Sequence, residues 1–129
     1  MVMASTQEVA YPKLEALGFG AVSLDGERWE RDFFIRASGQ VKVRKKRAVK
    51  ELYGTSHVVG PEELEKVCKG DPAVLIVASG YSGAVRLAPE AGGYLEGRGI
   101  KVEVQPTPEA VKLWAKKKGP KAILVHVTC

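Results

Sequence analysis

The sequence predicts an α/β (α+β) protein with one mixed sheet, in which an N-terminal β-meander packs with a parallel βαβαβ half. Residues 19–44 alternate between polar and apolar side chains around turn dipeptides, which is typical of antiparallel strands. From residue 60 onward, helices that begin with proline and end with glycine alternate with apolar strands. The continuous apolar runs "AVLIVA" and "KAILVHV" are typical of parallel strands that are covered on both faces.

The composition indicates a globular chain. Of its 129 residues, 45% are hydrophobic and 27% are charged, and no Ser/Gly/Pro linker or repeat divides them. No apolar run approaches the roughly 20 residues of a membrane helix. We therefore expect a single domain over residues 1–129, with 1–13 as a loose N-terminal segment. Because the start lacks the pattern of a signal peptide and there are only two cysteines, we expect the cytoplasm.

The N-terminal strands follow from turn residues. Asp25-Gly26 suits a type I′ hairpin between "FGAVSL" and "ERWERDFFIR". Alternation along the second strand would place Trp29, Arg31, Phe33 and Ile35 on one face and Glu30, Asp32 and Arg36 on the other. Ser38-Gly39 then leads into a third strand, "QVKVR".

Three helices are predicted in the second half. The first begins at Pro61, ends at Gly70 and turns Cys68 inward, and a weaker helix follows Pro89. The third has Thr107 as its cap and ends before Gly119. The order strand, helix, strand, helix, strand predicts two right-handed parallel crossovers.

The basic excess is concentrated in one segment. Six of the 20 lysine and arginine residues lie between residues 42 and 50, and the remaining 14 are balanced by 15 acidic residues. A solvated edge or loop is the favoured interpretation. An acidic protein partner and weak nucleic-acid binding are the alternatives, although only Tyr53 could stack on a base. The residues concerned are Lys42, Arg44, Lys45, Lys46, Arg47 and Lys50.

A second candidate site is the stretch "ASGYSGAVR" after the strand 73–78. Open α/β sheets bind ligands at the carboxyl ends of their strands, where loops offer glycines, hydroxyls and free N–H groups. The following strands should bring further polar residues to the same edge. A small-molecule or anion pocket would use Ser79, Gly80, Tyr81, Ser82, Gly83, Arg86, Thr107, His126, Thr128 and Cys129. The alternative is a structural turn, since neither a phosphate loop nor a complete nucleophile elbow is present.

The tail "HVTC" raises the question of a catalytic thiol–imidazole pair. Alternation along a strand puts His126 and Cys129 on opposite faces, so a direct contact is not expected. The tail should instead anchor the last strand. His57 is interpreted as a turn or capping residue, and no spacing of cysteine, histidine or aspartate predicts a metal site.

Several of these stretches together resemble a family of small uncharacterised proteins. They are "FGAVSLDGERWERDFFI", "GTSHVVGPEELEKV", the stretch from "PAVLIVASGYSG" to "EAVKLW", and "HVTC". In animals the family includes the adipogenesis-associated Mth-type domain protein, and the mitochondrial complex I assembly factor three is a distant relative. The resemblance covers roughly residues 14 to 129. It implies the Mth-type domain fold, a compact sheet-plus-helix domain without an established catalytic set, and for the distant assembly factor a protein-binding role.

We therefore expect an accessory domain that acts by binding a protein, and enzymatic activity is the less favoured interpretation. No catalytic residues, cofactor or metal are assigned. A small-molecule or anion-binding domain, or an unrecognised enzyme, at the strand ends is the alternative. Weak nucleic-acid binding through residues 42–50 comes third, and no membrane partner is expected. A protein-binding role predicts an exposed apolar patch.

Overall fold

The computed structural model describes residues 9–129. The strands are β1 (Leu14–Gly18), β2 (Ala21–Leu24), β3 (Glu27–Trp29), β4 (Phe33–Ile35), β5 (Val41–Val43), β6 (Val58–Val59), β7 (Val74–Ala78), β8 (Arg86–Leu87), β9 (Lys101–Gln105) and β10 (Lys121–Val125). The helices are α1 (Lys46–Tyr53), α2 (Pro61–Val67), α3 (Pro89–Gly97) and α4 (Thr107–Lys116).

The central sheet is mixed and has the strand order β5-β4-β10-β7-β9. Strands β10, β7 and β9 are parallel to one another, whereas β4 and β5 join at the β10 edge as an antiparallel hairpin. The predicted parallel half and the predicted mixed sheet are both confirmed. Because parallel strands are covered on both faces, every residue of β7 and β10 is buried.

The two faces of this sheet carry two separate cores. Leu75, Val77 and Leu124 pack with residues of α2 and α3 on one face. Ile76 and Ile123 pack with α4 and with the three-stranded antiparallel sheet β1-β2-β3 on the other face. Burying one such aliphatic side chain contributes about 1.5–3 kcal/mol. Because alternate side chains of β7 and β10 point to opposite faces, α2 and α3 pack on one side of the central sheet, and α4 and the small sheet pack on the other.

The prediction of one continuous strand over 27–36 is wrong. The chain leaves the small sheet after Trp29 and enters the central sheet at Phe33, so that β3 and β4 belong to different sheets. The carboxylate of Asp32, between them, is buried and bonds to the end of β10. The hairpin itself is confirmed, because Asp25 and Gly26 both adopt positive φ, 51° and 86°.

The basic segment is not only an edge or loop. Its second half is the helix α1, which buries Val49 and ends at Gly54 with a left-handed φ of 76°. The predicted cap of α4 is also wrong. Pro106 occupies the N-cap position, and the Thr107 hydroxyl bonds to other segments instead.

The expected loose segment, residues 1–13, falls largely outside the described residues. Within residues 9–13, the Tyr11 hydroxyl donates to the carbonyl of Ala37, and the indole N–H of Trp114 donates to the carbonyl of Pro12. Hydrogen bonds therefore anchor Tyr11 and Pro12 on the domain. None of the helices between residues 9 and 129 is long and apolar enough to cross a membrane.

Candidate functional site

A cluster of polar side chains gathers beside the end of β10. Asp32 precedes β4, His126 and Thr128 follow β10, and His57 lies in the loop before β6. Cys129 joins this tail cluster through His57. The tail cluster draws on three separate parts of the chain, so only the folded structure brings it together.

Asp32 is the centre of the tail cluster. The Nδ1–H of His126 donates to Oδ2 of Asp32 over 2.6 Å, and the backbone N–H of Val127 donates to Oδ1 over 3.0 Å. Burial raises the pKa of Asp32, but these hydrogen bonds and the positive charges nearby outweigh it and lower the pKa to about 2. Asp32 is therefore ionised at neutral pH.

Arg44 compensates this buried charge. Its guanidinium lies 3.2 Å from Oδ2 of Asp32 and 2.6 Å from Oε2 of Glu63, and its side chain is only 1% exposed. Lys46 adds a further cation, with its Nζ at 3.4 Å from Oδ2 of Asp32. A buried ion pair is stable only when both partners are present, because removing one leaves a desolvated charge.

The second nitrogen of His126 points along the tail. In the tautomer with the hydrogen on Nδ1, that N–H donates to Asp32 and Nε2 is an acceptor. The Thr128 hydroxyl lies 3.1 Å from Nε2 and donates to it. Asp32, His126 and Thr128 thus have the connectivity of an acid–histidine–hydroxyl triad.

Cys129 pairs with His57 rather than with His126. Its Sγ lies 3.2 Å from Nε2 of His57, and the rings of His57 and His126 meet edge to face at 5.3 Å between centroids. Burial, the nearby His126 and the cations Arg44 and Lys46 lower the pKa of His57, so its imidazole is neutral. The His57–Cys129 contact was not predicted, because alternation along the tail says nothing about a loop 72 positions away.

The three loops at the carboxyl ends of the parallel strands do meet. The N–H of Gly80 donates to the Thr107 hydroxyl over 3.0 Å, and that hydroxyl donates to the carbonyl of His126 over 2.9 Å. The N–H of Tyr81 donates to the carbonyl of Thr128 over 2.7 Å. Thr107 therefore joins the loop after β7 to the tail.

The N–H groups of residues 79–83 all have partners within the protein. Ser79, Ser82 and Gly83 donate to the carbonyls of Gln105, Cys129 and Gly80. Gly80 touches the tail so closely that a Cβ there would lie 2.2 Å from the carbonyl carbon of Cys129. No N–H of residues 79–83 is therefore left to bind an anion or to form an oxyanion hole.

The side chains in and after the loop that follows β7 differ in their exposure and in their hydrogen bonds. The Ser79 hydroxyl donates to the carbonyl of Gln105, and the Tyr81 hydroxyl donates to the carbonyl of Ala21. Ser82 and the Arg86 side chain are exposed. That these residues bind a ligand stays a prediction.

The basic segment divides into two groups. Arg44 is buried in the ion pairs described above, and Lys46 is half-buried against Asp32. The other four cations reach solvent: Lys42, Lys45, Arg47 and Lys50.

A groove opens on the other side of Arg44. It has a volume of about 290 Å³ and lies between α1, α2 and the β4–β5 hairpin. Its apolar floor includes Phe34 and Val49, and Leu52 projects at its rim with 59% of its surface exposed. The ring of Tyr53 lies over Gly60, where a Cβ would be 1.9 Å from the hydroxyl oxygen. Gly60 thus makes room for one wall of the groove.

The rim of the groove is cationic. Four basic residues line it: Arg36, Lys42, Lys45 and Lys66. Its two carboxylates are both engaged, since Glu62 accepts from the Tyr53 hydroxyl over 2.9 Å and Glu63 pairs with Arg44. The bond to Glu62, with burial and the nearby carboxylates, raises the pKa of Tyr53 to about 12.

Fold and sequence comparisons define the class of protein. The domain has the fold of PH1505, a conserved hypothetical protein from Pyrococcus horikoshii. The two are 39% identical, with a TM-score of 0.83 over 91% of this chain and 99% of that chain. MT938 is 30% identical, with a TM-score of 0.78 over 92% of this chain and 99% of that chain. A Mth938-like domain from Bordetella pertussis is 18% identical, with a TM-score of 0.59 over 98% of this chain and 92% of that chain, and shows the fold alone.

A family model of proteins of unknown function, DUF498/DUF598, matches residues 14–118. The chain belongs to this family, which confirms the resemblance seen in the sequence. No curated protein matches the chain.

Proposed function

We propose that this protein is an accessory domain of the cytoplasm that binds an acidic protein segment in the groove between α1 and α2. The observation that carries the proposal is the exposed side chain of Leu52 above an apolar groove. Surface apolar groups beside a concavity are typical of interaction sites. Two unpaired cysteines suit a reducing compartment.

The shape of the groove favours a short segment with an apolar anchor. A volume of about 290 Å³ accommodates one or two large side chains. Within α1, Val49 alone is buried, so the apolar stripe of this helix continues to Leu52 at the surface. An apolar residue of the partner would cover this part of the stripe and the floor beneath it.

The charge on the rim favours an acidic partner. Lys42, Lys45 and Lys66 are exposed and outnumber the one carboxylate of the rim that has no cationic partner, Glu62, since Glu63 is paired with Arg44. Opposite charges on the partner would steer association and set its orientation, with an effect that decreases as salt is added. Nucleic acid is less favoured because Arg44 is buried and the basic segment 42–50 contains no aromatic residue, with Tyr53 as the nearest one after it.

The rim at Ser79–Gly83 supports the small-molecule alternative less well. Its N–H groups are bonded to the protein, and the tail packs directly against Gly80. A ligand there would have to displace the tail first.

A peptide-binding assay tests the proposal. A fluorescent peptide with one leucine and one phenylalanine among aspartates and glutamates should bind, as measured by anisotropy. Leu52→Asp should weaken the binding at least tenfold, because it places a carboxylate among apolar groups and beside acidic residues of the peptide. The double variant Lys42→Glu/Lys45→Glu should also weaken the binding, and its loss of affinity should be larger at low salt than at high salt.

Matched controls distinguish binding in the groove from nonspecific binding of the peptide. Leu17 is a similarly exposed apolar residue on β1, outside the groove, so Leu17→Asp should leave the affinity unchanged. A peptide with lysines in place of the acids should not bind. Equal losses for Leu17→Asp and Leu52→Asp, or no binding of the acidic peptide, would overturn the proposal.

A further inference from the structure

The tail cluster contains a set of metal-ligating side chains that the groove does not use. His57, His126 and Cys129 each offer one ligand atom, and these atoms all lie within 4.8 Å of one another. We propose that these three residues bind one Zn²⁺ ion, with water as the fourth ligand. Residue spacing does not predict this site, because the three residues lie in two distant parts of the chain.

The donor set selects the class of metal. Two imidazole nitrogens and one thiolate are ligands that Zn²⁺ prefers, whereas Mg²⁺ and Ca²⁺ require oxygen ligands. Three protein ligands and an open fourth position are the pattern of zinc sites that retain a water. The donor set therefore favours Zn²⁺ over Mg²⁺ and Ca²⁺.

Asp32 orients His126 as a ligand. It engages Nδ1 over 2.6 Å, which leaves Nε2 as the nitrogen of His126 that can bind the metal, and the ring of His126 meets that of His57 edge to face at 5.3 Å between centroids. Carboxylate–histidine pairs of this kind fix the tautomer and the ring orientation in zinc sites, and they strengthen the ligand. Both side chains are buried and Asp32 is held by Arg44, so this half of the site is rigid.

The spacing of the three ligands is close to what the ion needs. Ligands at zinc-bond lengths around a tetrahedral ion are separated by about 3.3–3.7 Å. Sγ of Cys129 and Nε2 of His57 are 3.2 Å apart, and all three atoms fit within 4.8 Å. Small side-chain rotations therefore suffice to close the site.

The backbone around Cys129 is already positioned. Ser82 and Ala84 donate their N–H groups to its carbonyl oxygen, at 3.2 and 2.9 Å. The Thr128 hydroxyl, 3.1 Å from Nε2 of His126, would give up that nitrogen to the metal and bond to the water at the fourth position. Binding would thus tie the loop at His57 to the tail.

The test uses the metals themselves. Chelator-treated, reduced full-length protein is titrated with Co²⁺ and then with Zn²⁺. We expect one equivalent of Co²⁺ to give an intense near-ultraviolet charge-transfer band from the thiolate, and one equivalent of Zn²⁺ to remove it. Cys129→Ser should abolish the band, and His57→Gln should weaken the affinity at least tenfold.

Cys68→Ala is the matched control, because it removes the other thiol, which is buried against α2 and α3. This variant should keep the band. His57 is half-buried, so its variant should fold even if a change at the tail does not, as circular dichroism will show. The proposal is overturned if the band is absent from the wild-type protein. A band that survives Cys129→Ser, or an affinity unchanged in His57→Gln, has the same consequence.

Discussion

The tail cluster and the groove lie on either side of Arg44, and they use their side chains in opposite ways. In the tail cluster, Asp32, His126 and the loop after β7 bond to one another and close the carboxyl ends of the strands. In the groove, apolar groups and lysines meet solvent, with Leu52 as the clearest case. Glu63 belongs to the groove wall but pairs with Arg44, so one ion-pair chain supports both regions. The polar side chains of the tail cluster thus bond mostly to one another, whereas the apolar groups and lysines of the groove are open to a macromolecular partner.

Removing the centre of the tail cluster should have the largest effect. Asp32→Ala leaves Arg44 and His126 buried without their shared partner, and we expect a loss of about 3–5 kcal/mol in the free energy of unfolding. Arg28→Ala breaks the exposed pair with Glu30 and should cost about 1 kcal/mol or less. Urea denaturation measures both. Equal losses would contradict the ion-pair account.

Glycine substitutions should separate closed from open positions. Gly80→Ala forces a Cβ against the tail at a φ of 104°, so we expect a loss of about 2–4 kcal/mol. Gly92, in α3, has open space around it, and Gly92→Ala should stabilise the protein by about 0.5–1 kcal/mol. Thermal unfolding shows whether each variant is less or more stable than the wild-type protein. A neutral Gly80→Ala would mean that the tail does not close the strand ends.

Acid should weaken the tail cluster in a defined window. The pKa of Asp32 is lowered from 3.8 to about 2, so its contribution is complete above pH 4 and is lost as the pH falls towards 2. At 1.36 kcal/mol per unit, this contribution is about 2 kcal/mol. Asp32→Asn should flatten this part of the curve of unfolding free energy against pH.

Asp71→Asn is the control for that curve, because Asp71 is an exposed partner of Arg98. It should retain the slope of the wild-type protein. If both variants retain it, Asp32 is not the group that titrates.

The two thiols should differ in their accessibility. Burial raises the pKa of Cys68 to about 11, whereas the Cys129 side chain is partly exposed. Iodoacetamide should therefore modify Cys129 in the native, chelator-treated protein and Cys68 only after unfolding, as peptide mass spectrometry can show. Native modification of Cys68 first would contradict the packing of α2.

Much of the architecture could be predicted from local patterns. The apolar runs of β7 and β10 and the proline and glycine boundaries of the helices specify the parallel half. What could not be predicted depends on single buried charges. In the sequence Asp32 looks like a polar residue on a strand, whereas in the structure it pairs with Arg44 and His126 at the point where the chain changes sheets.

The candidate sites show the same limit. The parallel topology predicts that the loops at Gly80, Thr107 and the tail converge, and hydrogen bonds join them in the structure. Helix α1 was missed because a run of cations hides the apolar positions Val49 and Leu52. The approach of His57 to Cys129 has no local signal, since two loops set it.

Hydrogen–deuterium exchange with and without the acidic peptide tests the central claim most directly, because it reports both regions in one experiment. We predict slower exchange in α1 and the start of α2 when the peptide is bound, and unchanged exchange in residues 79–84 and 126–129. Protection confined to the loop after β7 and the tail would contradict this account and place the binding site at the strand ends.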